Sequence, residues 1–120
     1  MKWKKIAWFD DVELLLRDAL LDDVSIIREE VNAGVSVLWH VENHGYFVTR
    51  LEQFYDQKEL VLVAWQGKNT KPLVDYLKKI CKKSGIDSMR FHSSLPEKTV
   101  SRFVEPFGFL RAETVYRLEL

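Results

Sequence analysis

The chain has 120 residues, of which 47% are hydrophobic and 30% charged, with 18 basic side chains against 18 acidic ones. That profile describes one soluble globular domain over residues 1–120, with enough chain to bury a core, and it excludes a disordered polypeptide. The cancelled charge excludes a chain whose main work is neutralising a nucleic-acid backbone, because that needs a clear basic excess.

The N-terminal Met1-Lys2-Trp3-Lys4-Lys5 is basic, but Asp10 and Asp11 end the apolar stretch behind it, so it does not read as a signal peptide. Trp3 to Phe9 alternates loosely and predicts a short edge strand or an extended lead-in. Asp10 is placed to cap a helix, with Glu13 three residues on, and Leu14, Leu15, Leu16 and Leu20 supply its apolar stripe. A second helix starts near Asp22 or Asp23, carries Val24, Ile27 and Val31 at helical spacing, and stops at Gly34. The acidic pairs Asp10-Asp11 and Asp22-Asp23 suit the positive ends of these helices. No His or Cys stands near them, so no metal site is expected.

A hairpin follows. Val35, Val37, Trp39 and Val41 alternate with Ser36, Leu38, His40 and Glu42, and Asn43-His44-Gly45 makes the turn. Tyr46 to Leu51 returns as a strand, and Glu52 to Lys58 reads as a polar connection carrying Phe54 and Tyr55.

The stretch that organises the chain runs from Glu59 to Ile86. It opens as a strand, Leu60-Val61-Leu62-Val63-Ala64-Trp65, breaks over Gln66 to Lys71, and restarts as a helix with Pro72 in the first helical position. A strand that feeds a helix through a basic, Gly-bearing turn suits anions, because the first helical turn has free N–H groups and a partial positive charge. Leu73, Leu77 and Ile80 form the helix's apolar face, with Val74 and Cys81 beside it. Lys78, Lys79, Lys82 and Lys83 crowd its solvated end, and Gly85 terminates it. Cys81 has no partner for an internal disulfide, which fits a reducing cytoplasm, and its apolar neighbours make it core filler.

Ser88 to His92 reads as a strand, Glu97 to Glu105 as a short helix, Pro106 to Phe109 as a tight turn, and Leu110 to Leu120 as a last strand. No apolar run approaches the roughly 18 residues of a membrane span. The order predicts an α+β, or mixed α/β, fold. Its central sheet has five to seven mostly antiparallel strands, with one parallel pair across the Pro72 helix and about four flanking helices.

This order, with Leu60 to Lys83 as strand, loop and helix and Phe107-Gly108-Phe109 before the last strand, resembles the GCN5-related N-acetyltransferase (GNAT) superfamily. The resemblance covers Val35 to Leu120. The wording Arg90-Phe91-His92-Ser93 and Val115 to Leu120 further resembles small acetyltransferase-like proteins of tailed phages and prophages.

The resemblance implies that two strands splay apart and hold acetyl-CoA as co-substrate in the gap. Val61, Val63 and Trp65 would line it, and Gln66, Gly67, Lys68, Asn69, Thr70 and Lys71 would cradle the pyrophosphate. Asn69 and Lys71 stand where the family pattern expects small glycines. Asn tolerates the left-handed conformation, and Lys71 offers an ammonium in place of a close backbone approach. The family's usual Tyr acid falls at Val104 here, which has no proton to give. His92 is the expected general base, with Glu42 as second candidate and His40 in reserve.

Two functions follow from the resemblance. One is an enzyme that moves an acetyl group from acetyl-CoA to a small-molecule or protein amine. The other is a non-catalytic module of phage or prophage origin, acting in binding or as a virion component. Four Trp and seven Phe would serve a homodimer or a single core equally well.

Overall fold

The computed structural model describes residues 2–20, 24–67, 70–91, 108–109, 116 and 118–120. Their elements are β1 (Trp3–Ile6), α1 (Asp10–Leu20), α2 (Val24–Asn32), β2 (Val37–Val41), β3 (Gly45–Phe54), β4 (Gln57–Gly67), α3 (Thr70–Lys83) and β5 (Ser88–Phe91). The strands lie in chain order β1-β2-β3-β4-β5, antiparallel up to β4, with β4 and β5 parallel across α3. This is the predicted mixed α+β sheet. Three helices are described, and the predicted helix Glu97–Glu105 lies outside the described residues.

Alternation along β2 divides the core in two. Leu38 faces α1 and α2 and is fully buried with Val12, Leu16, Ile27, Val48 and Ala64. Val41 faces the other way, packing with Phe47 and Leu73 of α3, flanked by Trp3, Trp39 and Trp65. Both faces of the sheet are therefore covered by helices, α3 of the β4–β5 crossover on one and α1 with α2 on the other.

The helix ends follow their sequence signals. At α2, Gly34 takes φ +79°, Val35 N–H donates to Glu30 and Gly34 N–H to Val31. At α3, Gly85 takes φ +73°, Ile86 N–H donates to Cys81 and Gly85 N–H to Lys82. Both are the same left-handed stop, in which a glycine lets the last carbonyls be satisfied.

Several expectations are corrected. The lead-in to Phe9 is an edge strand only over Trp3–Ile6. In α1 the buried stripe is Val12 and Leu16, while Leu14 and Leu15 are exposed. Glu13 reaches Arg28 of α2 at 2.6 Å instead of serving a capping box. In α3 the buried face is Leu73, Val74, Leu77 and Cys81; Ile80 is exposed. The polar connection Glu52–Lys58 does not exist as a loop. β3 runs to Phe54 and β4 starts at Gln57, leaving a two-residue turn at Tyr55-Asp56 with Tyr55 at φ 57°. Cross-strand pairing of Glu52 with Glu59 and Gln53 with Lys58 overrode the low strand preference of those residues. Of the predicted last strand, Tyr116 and 118–120 are described, and they are exposed and outside the sheet.

Candidate functional site

β4 changes character at Val63. Below it, Glu59–Leu62 pair with Glu52–Thr49 of β3 on one side and with Ser88–Phe91 of β5 on the other. At Val63 the ladder slips. Consecutive Val48 and Thr49 of β3 face Ala64 and Leu62, so Val63 is an extra residue, a β-bulge. Parity reverses there. Trp65 and Leu62 both lie on the α3 face, since Trp65 pairs with Phe47, and Leu62 pairs with Thr49, whose hydroxyl accepts from Trp39 Nε1 at 2.9 Å. Bulges re-aim side chains and interrupt pairing, often beside functional sites.

Above the bulge, β4 runs on to Gly67, five residues past Leu62, the partner of Phe91. Among the described residues this upper segment pairs with β3 alone. A strand paired on one side directs alternate N–H and C=O groups away from its partner.

Two residues after Gly67 the chain enters α3 at Thr70. The predicted six-residue break over Gln66–Lys71 is corrected at both ends: Gln66 and Gly67 extend the ladder opposite Tyr46 and Gly45, and Thr70 and Lys71 belong to α3. Pro72 is corrected as well: it is the third helical residue, inside the first turn, where its missing N–H still costs no intrahelical bond. That first turn contains no acidic residue, and Lys71 in it is exposed. The positive end of this 14-residue helix therefore has no acidic side chain of its own first turn beside it.

The candidates sort by position. Val63, Trp65, Gln66, Gly67, Thr70 and Lys71 gather at one end of the sheet, where β4 gives way to α3. Gly45 pairs with Gly67, which brings the β2–β3 turn, and exposed Glu42 within it, to the same end. His40 stands one pair further in, its ring 5.0 Å from that of Tyr46. Val61 stands apart: it is 3% exposed, in the segment paired on both sides between Arg50 and Arg90. Lys68, Asn69 and His92 lie outside the described residues.

Sequence reasoning missed two features. The first is an aromatic corner on the α3 face. Trp65 meets Phe91 edge-on at 5.4 Å, and Phe91 meets Phe109 at 5.4 Å. The second is a charge ladder across the α2 side of the lower sheet. Arg50 joins Glu30 of α2, at 3.2 Å, to Glu52, at 3.0 Å; Arg90 joins Glu52, at 2.9 Å, to Glu59, at 3.0 Å. Burial works to raise the Glu52 carboxyl, but the hydrogen bond from Arg50 and the charges of Arg90 and Arg50 together outweigh it and hold its pKa below the ordinary value. Arg50-Leu51-Glu52 in strand spacing, with Arg90 across the sheet, was the signal available for this ladder.

Among the described residues no group of His, Cys, Asp and Glu could hold a metal ion, and no helix is long and apolar enough to cross a membrane.

No family model matches the chain, and no curated protein matches it. Solved structures do. An acetyltransferase from Trypanosoma brucei aligns over 99% of this chain and 99% of its own, at 17% identity and a TM-score of 0.59. Glucosamine-6-phosphate N-acetyltransferase from Arabidopsis thaliana aligns over 99% of both chains, at 14% identity and a TM-score of 0.59. A transcriptional regulator from Bacillus halodurans aligns over 99% of this chain and 100% of its own, at 12% identity and a TM-score of 0.65. At these identities the shared property is the fold, which is that of the GNAT acetyltransferases.

Proposed function

We propose that this chain, which carries the GNAT fold, is an acyltransferase that binds acetyl-CoA along the upper half of β4 and passes the acetyl group to an amine. One observation carries the reading. β4 bulges at Val63, continues with described partners on one side only, and delivers the chain within two residues to the acid-free N-terminus of α3. A diphosphate finds N–H donors, a helix dipole and the Lys71 ammonium there. A pantetheine arm finds strand N–H and C=O groups beside Ala64–Gln66.

The reaction asks little of side chains. A neutral amine attacks the thioester carbon, a C–N bond forms and the C–S bond breaks. The amine's proton leaves to a base, and the departing thiolate takes up a proton. Glu42, at the rim of this end of the sheet, and His92, next in the chain after Phe91, are the groups we assign to proton removal. The acceptor is a small-molecule or protein amine.

A second reading has its own support. Pro72 withdraws one N–H from the first turn of α3, and the fold is shared by a protein described as a transcriptional regulator. In that reading the sheet serves as a binding or virion-associated module without turnover. Thermal unfolding with and without millimolar acetyl-CoA separates the two. Acetyl-CoA at 100 times its Kd should stabilise the fold by about 2.7 kcal/mol, roughly a 10 °C rise in Tm. An unchanged Tm with both acetyl-CoA and CoA would select the module.

A further inference from the structure

We infer that the aromatic corner formed by Trp65, Phe91 and Phe109 limits the acyl group to two or three carbons. This inference rests on the acyl-CoA reading above.

Phe91 is the residue of β5 opposite Leu62, and Trp65 lies three residues further along β4, about 10 Å up the strand. Trp65 nevertheless reaches back to meet the Phe91 ring edge-on, with centroids 5.4 Å apart and planes at 62°. Phe109 meets the other side of Phe91 at 5.4 Å and 82°. Rings in edge-to-face contact at this spacing leave no gap for a methylene between them. All three are half-buried, so each keeps part of its surface open. Behind Trp65 stands closed core, the cluster of Val41, Phe47 and Leu73.

The rings therefore form the α3-side wall of the region where β4 runs beyond its last described β5 partner. A thioester placed along Ala64–Trp65 has its acyl carbon close to this wall. A methyl or ethyl group fits against ring faces, and a longer chain must displace a ring or enter the core. The free space on that side does not help it. The cavity between the sheet and α3 measures only about 10 Å³, room for about one water-sized group and not for a chain of several carbons.

The test is a chain-length series of acetyl-, propionyl-, butyryl- and hexanoyl-CoA against the whole chain, with affinity read by calorimetry. CoA serves as the reference without an acyl group. An open apolar pocket would tighten binding about four-fold for each added methylene. The wall predicts that this gain stops after propionyl and that hexanoyl-CoA binds at least ten-fold more weakly than acetyl-CoA. Phe91→Ala should restore hexanoyl-CoA binding by ten-fold or more while leaving CoA affinity unchanged. Phe91→Leu, which keeps most of the packing, should extend the limit by one or two carbons. Hexanoyl-CoA binding as tight as acetyl-CoA in the unaltered chain would overturn the inference while sparing the function. So would a hexanoyl-to-acetyl ratio unmoved by both substitutions. Failure of CoA and every acyl-CoA to bind would overturn the function itself, and this inference with it.

Discussion

The two halves of β4 are one strand with two environments. From Glu59 to Leu62 it is held by β3 and by β5, Val61 and Leu62 are buried, and Glu59 carries a cross-sheet ion pair. From Val63 to Gly67 it is bulged, paired with β3 alone among the described residues, and edged by aromatic rings and a helix N-terminus. Backbone groups committed on both sides give stability and nothing to a ligand. Backbone groups left open on one side are a cost to the fold unless a ligand or solvent meets them. The proposed function rests on this contrast, with folding carried by the lower half and acetyl-CoA binding proposed for the upper.

Substitutions break or sharpen that contrast. The largest effect belongs to Leu62→Ala in the lower half, which should lose about 2–5 kcal/mol in chemical denaturation. Gln66→Ala in the upper half, exposed and at the end of the ladder, should stay within about 0.5 kcal/mol of the parent. Equal losses at the two positions would erase the distinction. Next, Arg90→Ala strips Glu52 and Glu59 of a shared cation and should destabilise by about 1–3 kcal/mol. Acetyl-CoA affinity should not change, because the charge ladder lies in the lower half.

Lys71→Glu should act in the opposite sense. An acidic residue in the first turn of α3 complements the helix dipole and should raise stability by about 0.3–1 kcal/mol. The same change places a negative charge where the diphosphate is expected and should weaken acetyl-CoA binding roughly ten-fold, about 1.4 kcal/mol. A substitution that stabilises the protein and weakens the ligand cannot be explained by unfolding. The smallest effect concerns pH. The folded pKa of Glu52 lies below its ordinary value of 4.5, so its contribution is complete above that value and is lost as pH falls through the folded pKa. Stability should therefore decline in acid below about pH 4.5, and Glu52→Gln should flatten part of that decline, as read by denaturant midpoints against pH.

Much of this architecture was legible in the residues. Helix stops at Gly34 and Gly85 and the crossover through α3 each follow from local chemistry, and the predicted turn at Asn43-His44-Gly45 sits one residue earlier, over Glu42-Asn43-His44, with Gly45 opening β3. The upper half of β4 was located by the same means, as a strand entering a helix through a basic turn. What was not legible depended on long-range pairing. Glu52 to Lys58 has loop composition, and only the opposing strand turns it into a ladder. The bulge at Val63 is invisible in a run of apolar residues, since every residue in Leu60–Trp65 suits either face. Phe91 and Phe109 come together with Trp65 from segments far apart in sequence, so no local pattern could announce the corner.

The central claim is that the upper half of β4 and the first turn of α3 receive acetyl-CoA together. Residue-resolved amide exchange, measured by NMR with and without saturating acetyl-CoA, tests it most directly. The account predicts slowed exchange at Lys71 and at those amides of Ala64, Trp65 and Gln66 that face away from β3, with Leu60, Val61 and Leu62 unchanged because their amides are already committed. Bound acetyl-CoA that leaves those upper amides untouched, or that protects only the lower segment, would contradict it.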